Sequence, residues 1–184
     1  MSIVNKKAKP AINLGQIMRI LGVPIWLGLL LLLIIVWIVS PGFLNGLHLL
    51  NVTRQASGLG IVTVGQSLVI LTGGIDLSNG AVITLVNVIA ATILNGKDTL
   101  IVPVIFICIT VGALVGLANG FLVTRLKVPA FISTLGMFSV LRGVAYIYTG
   151  GAPKGNVSPF LRFLGSGHIG QIPTAVVIWI VITI

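Results

Sequence analysis

The stretch Thr72-Gly73-Gly74-Ile75-Asp76-Leu77-Ser78-Asn79-Gly80 decides how this chain is read, because it sets a carboxylate and two adjacent glycines between the apolar runs Gln66 to Leu71 and Ala81 to Ile93. Asp76 is one of only 2 acidic residues in 184. An ionised group in hydrocarbon costs at least ~2.5–3.5 kcal/mol on insertion scales. A chain this poor in acids that keeps one there is expected to use it, either to hold a break between two helices or to meet a polar solute. The glycine pair suits the end of one helix, and Asp76 or Ser78 suits the cap of the next. Broken helices at membrane depth are tolerated only where they are buried in protein or line an aqueous cavity. In transporters such breaks often mark the substrate path. The plainer alternative is that Asp76 caps a helix at the cytoplasmic interface, and the residues alone leave both open.

Composition sets the frame around that stretch. The chain is 57% hydrophobic and 7% charged, with a mean hydropathy of +1.18, which lies outside the range of soluble domains. The expected class is an all-α, polytopic integral membrane protein. Its net charge of +9 comes from cations at the ends of apolar runs. Lys6, Lys7, Lys9 and Arg19 precede the first run, and Arg125 and Lys127 separate two later ones. This is the pattern of topology signals and headgroup contacts, so lipid is the expected partner. Nucleic-acid binding would call for a basic face on a soluble fold. The single Cys108 forms no intramolecular disulfide. His48 and His168 fall in expected loops with no ligand-spaced neighbours, so no metal site is expected.

Six apolar segments approach the roughly 20 residues of a bilayer crossing: 20–40, 51–73, 78–95, 100–124, 129–149 and 173–184. The first is too long for a signal-peptide core and reads as an uncleaved helix. Asn95-Gly96-Lys97-Asp98 reads as a tight turn, with Asp98 a turn residue or the cap of the following helix. A polar, glycine-rich loop is expected from Gly150 to about Gln171. The sixth segment covers about 18 Å of the ~30 Å hydrocarbon core, so the chain is expected to be the N-terminal part of something longer. The domain reading is a cytoplasmic segment at 1–19 and a membrane domain at 20–184. With the N-terminus cytoplasmic, Lys6, Lys7, Lys9, Arg19, Arg125 and Lys127 face inward and Arg54, Lys97, Lys154 and Arg162 outward.

Two further features stand out. Gly112, Gly116 and Gly120 put small residues on one helical stripe, which lets a neighbouring backbone approach closely. The same chain is the preferred source of that neighbour, with a second subunit the alternative, and Asn119 beside the stripe could bond across the interface. Arg142 lies about 12 Å from the end of its segment, where it could snorkel to the outer headgroups or face a polar interior. A pairing with Asp76 is conceivable. The glycine-rich stretch Gly150 to Gly155 lacks the spacing of a phosphate loop, and no catalytic constellation occurs. The expectation is that the chain is not an enzyme.

At Leu68 to Ser78 the sequence closely resembles the permease subunits of bacterial monosaccharide ABC importers of the ribose type, whose pattern reads TLVILTGGIDLSVGS. Asn79 stands where that pattern has Val, and Ala81 where it has Ser. The likeness continues through Gly116 to Lys127 and Pro129 to Gly151. The resemblance implies a permease of some eight to ten helices in the bacterial cytoplasmic membrane, translocating a ribose-like monosaccharide. It implies three protein partners: a cytoplasmic ATP-binding subunit, an extracytoplasmic sugar-binding protein and a second permease subunit. No cofactor is expected in this chain itself, since ATP would be bound by the partner. The resemblance makes Thr72, Gly73, Gly74, Asp76 and Ser78, with Arg142, the candidates for a translocation path or a helix break beside it. An ATP-independent carrier, or a truncated subunit that only packs against another permease, is the alternative.

Overall fold

The computed structural model describes residues 23–184; the expected cytoplasmic segment 1–19 lies outside them. Two compact units result, one ending at Leu49 and the other running Leu50–Ile184.

In the first unit, helix α1 (Val23–Val39), mostly Leu, Ile, Val and Trp, buries none of its side chains. A 3-10 turn (Pro41–Leu44) follows. The Phe43 and His48 rings meet with centroids 4.0 Å apart. The Asn45 side-chain oxygen accepts the His48 backbone N–H at 2.8 Å, capping helix α2 (Gly46–Leu71).

The second unit is built around helix α3 (Asn79–Leu94), which packs against both α4 (Ile101–Thr124) and α5 (Ala130–Thr149). Ala81 and Leu85 of α3 meet Val115 of α4 and Leu141 and Ala145 of α5. Further along, Ala90 and Leu94 meet Val104. Each pair is spaced i, i+4, and the two pairs lie on opposite sides of α3, so the helix buries one face at its start and the other at its end. Its alanines admit the close helix approach that membrane packing relies on, since lipid offers no hydrophobic drive between helices.

Helix α5 stops at Gly150 and Gly151, with φ of +67° and +77°. Gly151 N–H donates to the Tyr146 carbonyl at 3.1 Å and Gly150 N–H to Ile147 at 3.4 Å. The residues after it are not the open loop that their glycines and polar side chains suggest. They form a short helix α6 (Pro159–Ser166), a two-stranded hairpin pairing His168–Ile169 with Ile172–Pro173 across Gly170, and helix α7 (Thr174–Thr183). Ser158 accepts the Leu161 N–H, and Pro159 at the first turn has no N–H to leave orphaned. His168 accordingly lies in a strand. Asp98 does not cap the helix after it: its carboxylate accepts the Phe160 N–H at 3.2 Å and so helps start α6.

Two described helices, α4 and α5, are long and apolar enough to cross a membrane, against the six segments expected. The α1, α3 and α7 helices are apolar but shorter, and polar residues such as Arg54, Gln55 and Gln66 dilute the long α2.

Candidate functional site

The break between α2 and α3 is a built structure. Gly74 N–H donates to the Val69 carbonyl at 3.1 Å and Gly73 N–H to Ile70 at 2.9 Å, the paired bonds of a glycine C-cap. Gly73 has φ +80°, a conformation that costs any residue with a Cβ roughly 1–2 kcal/mol. Thr72 donates its hydroxyl to the Val69 carbonyl at 2.7 Å. Helix α3 then begins at Asn79, with Ser78 as its N-cap position.

Asp76 braces this junction. One carboxylate oxygen accepts both the Ser78 backbone N–H, at 2.7 Å, and the Ser78 hydroxyl, at 2.6 Å. Ser78 is 1% exposed, and its hydroxyl oxygen accepts in turn from the Asn119 amide of α4 at 3.0 Å. From the other side the Thr134 hydroxyl of α5 shares its proton between its own Ala130 carbonyl, at 2.8 Å, and the Ile75 carbonyl, at 3.2 Å. The Asn79 amide donates to the Gln66 side-chain oxygen at 2.6 Å, tying the two helix ends together. The break is therefore held by α2, α4 and α5 at once. Such cross-bonding satisfies the polar groups of a backbone that has left the helix.

Of the residues singled out from sequence, Thr72, Gly73, Gly74, Asp76 and Ser78 come together here. Arg142 does not join them. Its guanidinium lies 5.4 Å from the Phe138 ring centroid on the same helix, eight residues beyond the Thr134 that touches the break, or about 12 Å along the axis. The conceivable Asp76–Arg142 pair is thus not formed. Asp76 is engaged by Ser78 instead, and Arg142 stands exposed beside Phe138.

Beyond the nearby backbone of their own helix, Gly112, Gly116 and Gly120 have no described atom within 4 Å of the Cβ each lacks. The close approach occurs instead at Gly60, where a Cβ would run into the Trp179 indole of α7. Sequence reasoning misses Gly60 because its pair with Ala56, four residues earlier, is a weaker spacing signal than the three-glycine stripe of α4. Asn119, expected to bond across an interface beside the glycine stripe, finds its partner in Ser78, 41 residues earlier. A carboxamide in an otherwise apolar helix is the available signal.

The family model of the branched-chain amino acid transport system permease component matches residues 48–184. Among curated proteins, the ribose import permease protein of Haemophilus influenzae is 37% identical over 84% of this chain and 48% of its own length. The ribose import permease protein of Bacillus subtilis is 39% identical over 80% of this chain and 46% of its own. The galactofuranose transporter permease protein of Escherichia coli is 35% identical over 85% and 48%. The chain spans about half the length of the curated relatives it matches. No solved structure matches it.

Proposed function

The chain belongs to the family of branched-chain amino acid transport system permease components, and from that premise we propose that it acts as a membrane-embedded permease of an ATP-driven importer carrying a ribose-like monosaccharide across the bacterial cytoplasmic membrane. The observation that carries this reading is the likeness, over more than four-fifths of the chain, to proteins named as ribose and galactofuranose permeases. The break itself lends support: a braced interruption in an apolar bundle is the kind of element transporters place beside a solute path.

In this reading six segments, including the shorter α1, α3 and α7, enter the membrane, with the N-terminus cytoplasmic. Lys97, Lys154 and Arg162 then lie outside, and Arg125 and Lys127 inside. Thr72, Gly73, Gly74, Asp76 and Ser78 form a fixed wall beside the path, not a free hinge, because α4 and α5 clamp it. The open stripe Gly112, Gly116, Gly120 is available to a helix from outside the described residues, such as a second permease subunit. ATP is bound by a cytoplasmic partner, and an extracytoplasmic binding protein delivers the sugar.

The test is uptake of radiolabelled ribose and galactose in a bacterial strain lacking its own permease and supplied with the full-length gene product, alongside co-purification from solubilised membranes. ATP-dependent uptake with a retained ATPase is the expected result. Uptake that persists without any ATPase would replace this reading with an ATP-independent carrier.

A further inference from the structure

The two flanks of α3 differ in chemistry. On the side toward α4, a groove of about 540 Å³ is lined by Val82, Ile83, Val86, Ile105 and Ile109, with Asn87 and Cys108 as the polar exceptions. On the side toward α5, a furrow of about 290 Å³ is lined by Thr84 of α3, by Arg142, Tyr146 and Thr149 of α5, and by Lys154 of the segment after α5. Hydroxyls and cations thus collect along one seam of the bundle and are nearly absent from the other.

Arg142 makes this seam hard to reconcile with lipid contact. It stands about 18 Å from the start of α5 and about 10 Å from its end, and it is exposed. Both acids of the chain are occupied elsewhere, Asp76 with Ser78 and Asp98 with Phe160, so neither neutralises it. Ionisable side chains at such depth face a bundle interior or a water-filled cavity. The furrow runs toward Gly151 and Lys154, beyond the end of α5, which gives it a mouth at that end. Lys154 stands there with its ammonium 5.5 Å from the Tyr148 ring.

We infer that the α3–α5 furrow is a water-filled wall of the sugar path, with Arg142 donating hydrogen bonds to hydroxyl oxygens of the passing monosaccharide and Lys154 standing at its mouth. This inference rests on the sugar-import reading for the identity of its solute. Thr84 and Thr149 have given their protons to the Gly80 and Ala145 carbonyls, at 2.9 and 3.0 Å. Thr149 already accepts the Gly151 N–H at 3.2 Å, so Thr84 is the freer acceptor of the two, while Arg142 and the Tyr146 hydroxyl supply donors. A polyhydroxylated sugar can use both kinds of group.

The experiment uses full-length protein in its native membranes with Cys108→Ser as parent, and introduces Thr84→Cys, Tyr146→Cys and, in the apolar groove, Ile105→Cys. A membrane-impermeant sulfonated maleimide is the probe, with and without ribose, and uptake is measured in parallel. The furrow positions should label at least about tenfold faster than Ile105→Cys, because the reactive thiolate forms only where water reaches it, and ribose should slow them. Tyr146 is 69% exposed, so Tyr146→Cys remains informative even if Thr84→Cys misfolds. Arg142→Gln should lower uptake roughly tenfold at normal abundance, and Arg142→Lys less, as loss of a charged donor predicts. Labelling at Tyr146→Cys no faster than at Ile105→Cys overturns the wet furrow. Fast labelling in a parent that imports no sugar would overturn the solute instead and bring down the sugar-import reading.

Discussion

Replacing Asp76 separates a brace from a solute contact. Its single engaged oxygen accepts two hydrogen bonds from Ser78, at 2.7 and 2.6 Å, and hydrogen bonds to a charged group are worth about 1.5–3 kcal/mol each. Asp76→Ala removes both and leaves the Ser78 N–H and hydroxyl seeking partners in a site where Ser78 is 1% exposed. The expected loss is about 3–6 kcal/mol. Asp76→Asn keeps a carbonyl oxygen in the same place and loses only the charge assistance, so each bond falls toward the ordinary 0.5–1.5 kcal/mol and the loss is about 2–3 kcal/mol in all. Ser78→Ala should resemble Asp76→Asn, since the backbone N–H bond survives while the Asn119 amide loses its acceptor. In a double-mutant cycle, Asp76→Ala with Ser78→Ala should cost clearly less than the sum of the singles. The assay is the thermal midpoint of full-length protein in detergent, with sugar uptake at matched membrane abundance. A brace predicts that uptake follows stability across the series. If Asp76→Asn abolished uptake while its midpoint matched the wild type, the charge itself would be acting on the solute and the reasoning would fail. An unchanged midpoint for Asp76→Ala would sink it just as surely.

Two other substitutions test how the bundle is held. Gly155 has φ +78°, and a Cβ there would strike the Ala91 carbonyl and the Thr92 backbone. Gly155→Ala should lift this segment off the end of α3 and break the Asn156-to-Ala91 and Gly96-to-Asn156 bonds at 3.1 and 3.0 Å. Adding the left-handed penalty to two hydrogen bonds gives about 2–5 kcal/mol, read as a lowered midpoint and faster proteolysis between Gly150 and Ser158; wild-type behaviour in both would refute the packing. Gly60→Val should drive a side chain into the Trp179 indole and cost about 1–3 kcal/mol by overpacking. Trp179→Ala in the same chain should recover part of that loss, whereas additive losses would mean that the two residues do not touch.

Local signals in this sequence are legible and distant ones are not. The pair Gly73-Gly74 announces a helix end because the left-handed cap needs a residue without a Cβ, and the structure closes α2 there with the bonds such a cap makes. Gly150-Gly151 ends α5 by the same device. Apolar run lengths give most helix bounds to within a few residues, since the backbone has no other way to satisfy itself in hydrocarbon. The start of α2 at Gly46 escapes because Gly46 to Leu50 carries no periodic contrast with the rest of the helix. The α6 helix escapes for a different reason: its eight residues are too few for periodicity to register, although Ser158-Pro159 is a readable cap. Asp98 reads as a turn residue or a cap of the helix beside it, and it does lie in the turn before α4, yet its carboxylate's partner Phe160 is 62 residues away. The Ser78–Asn119 bond spans 41 and the Thr134–Ile75 bond 59. These long-range bonds hold the break in place, and nothing in Asp76 or its immediate neighbours encodes them. Spacing shows that the chain breaks at Gly73, whereas the rigidity of that break comes from which residues of α4 and α5 arrive to bind it.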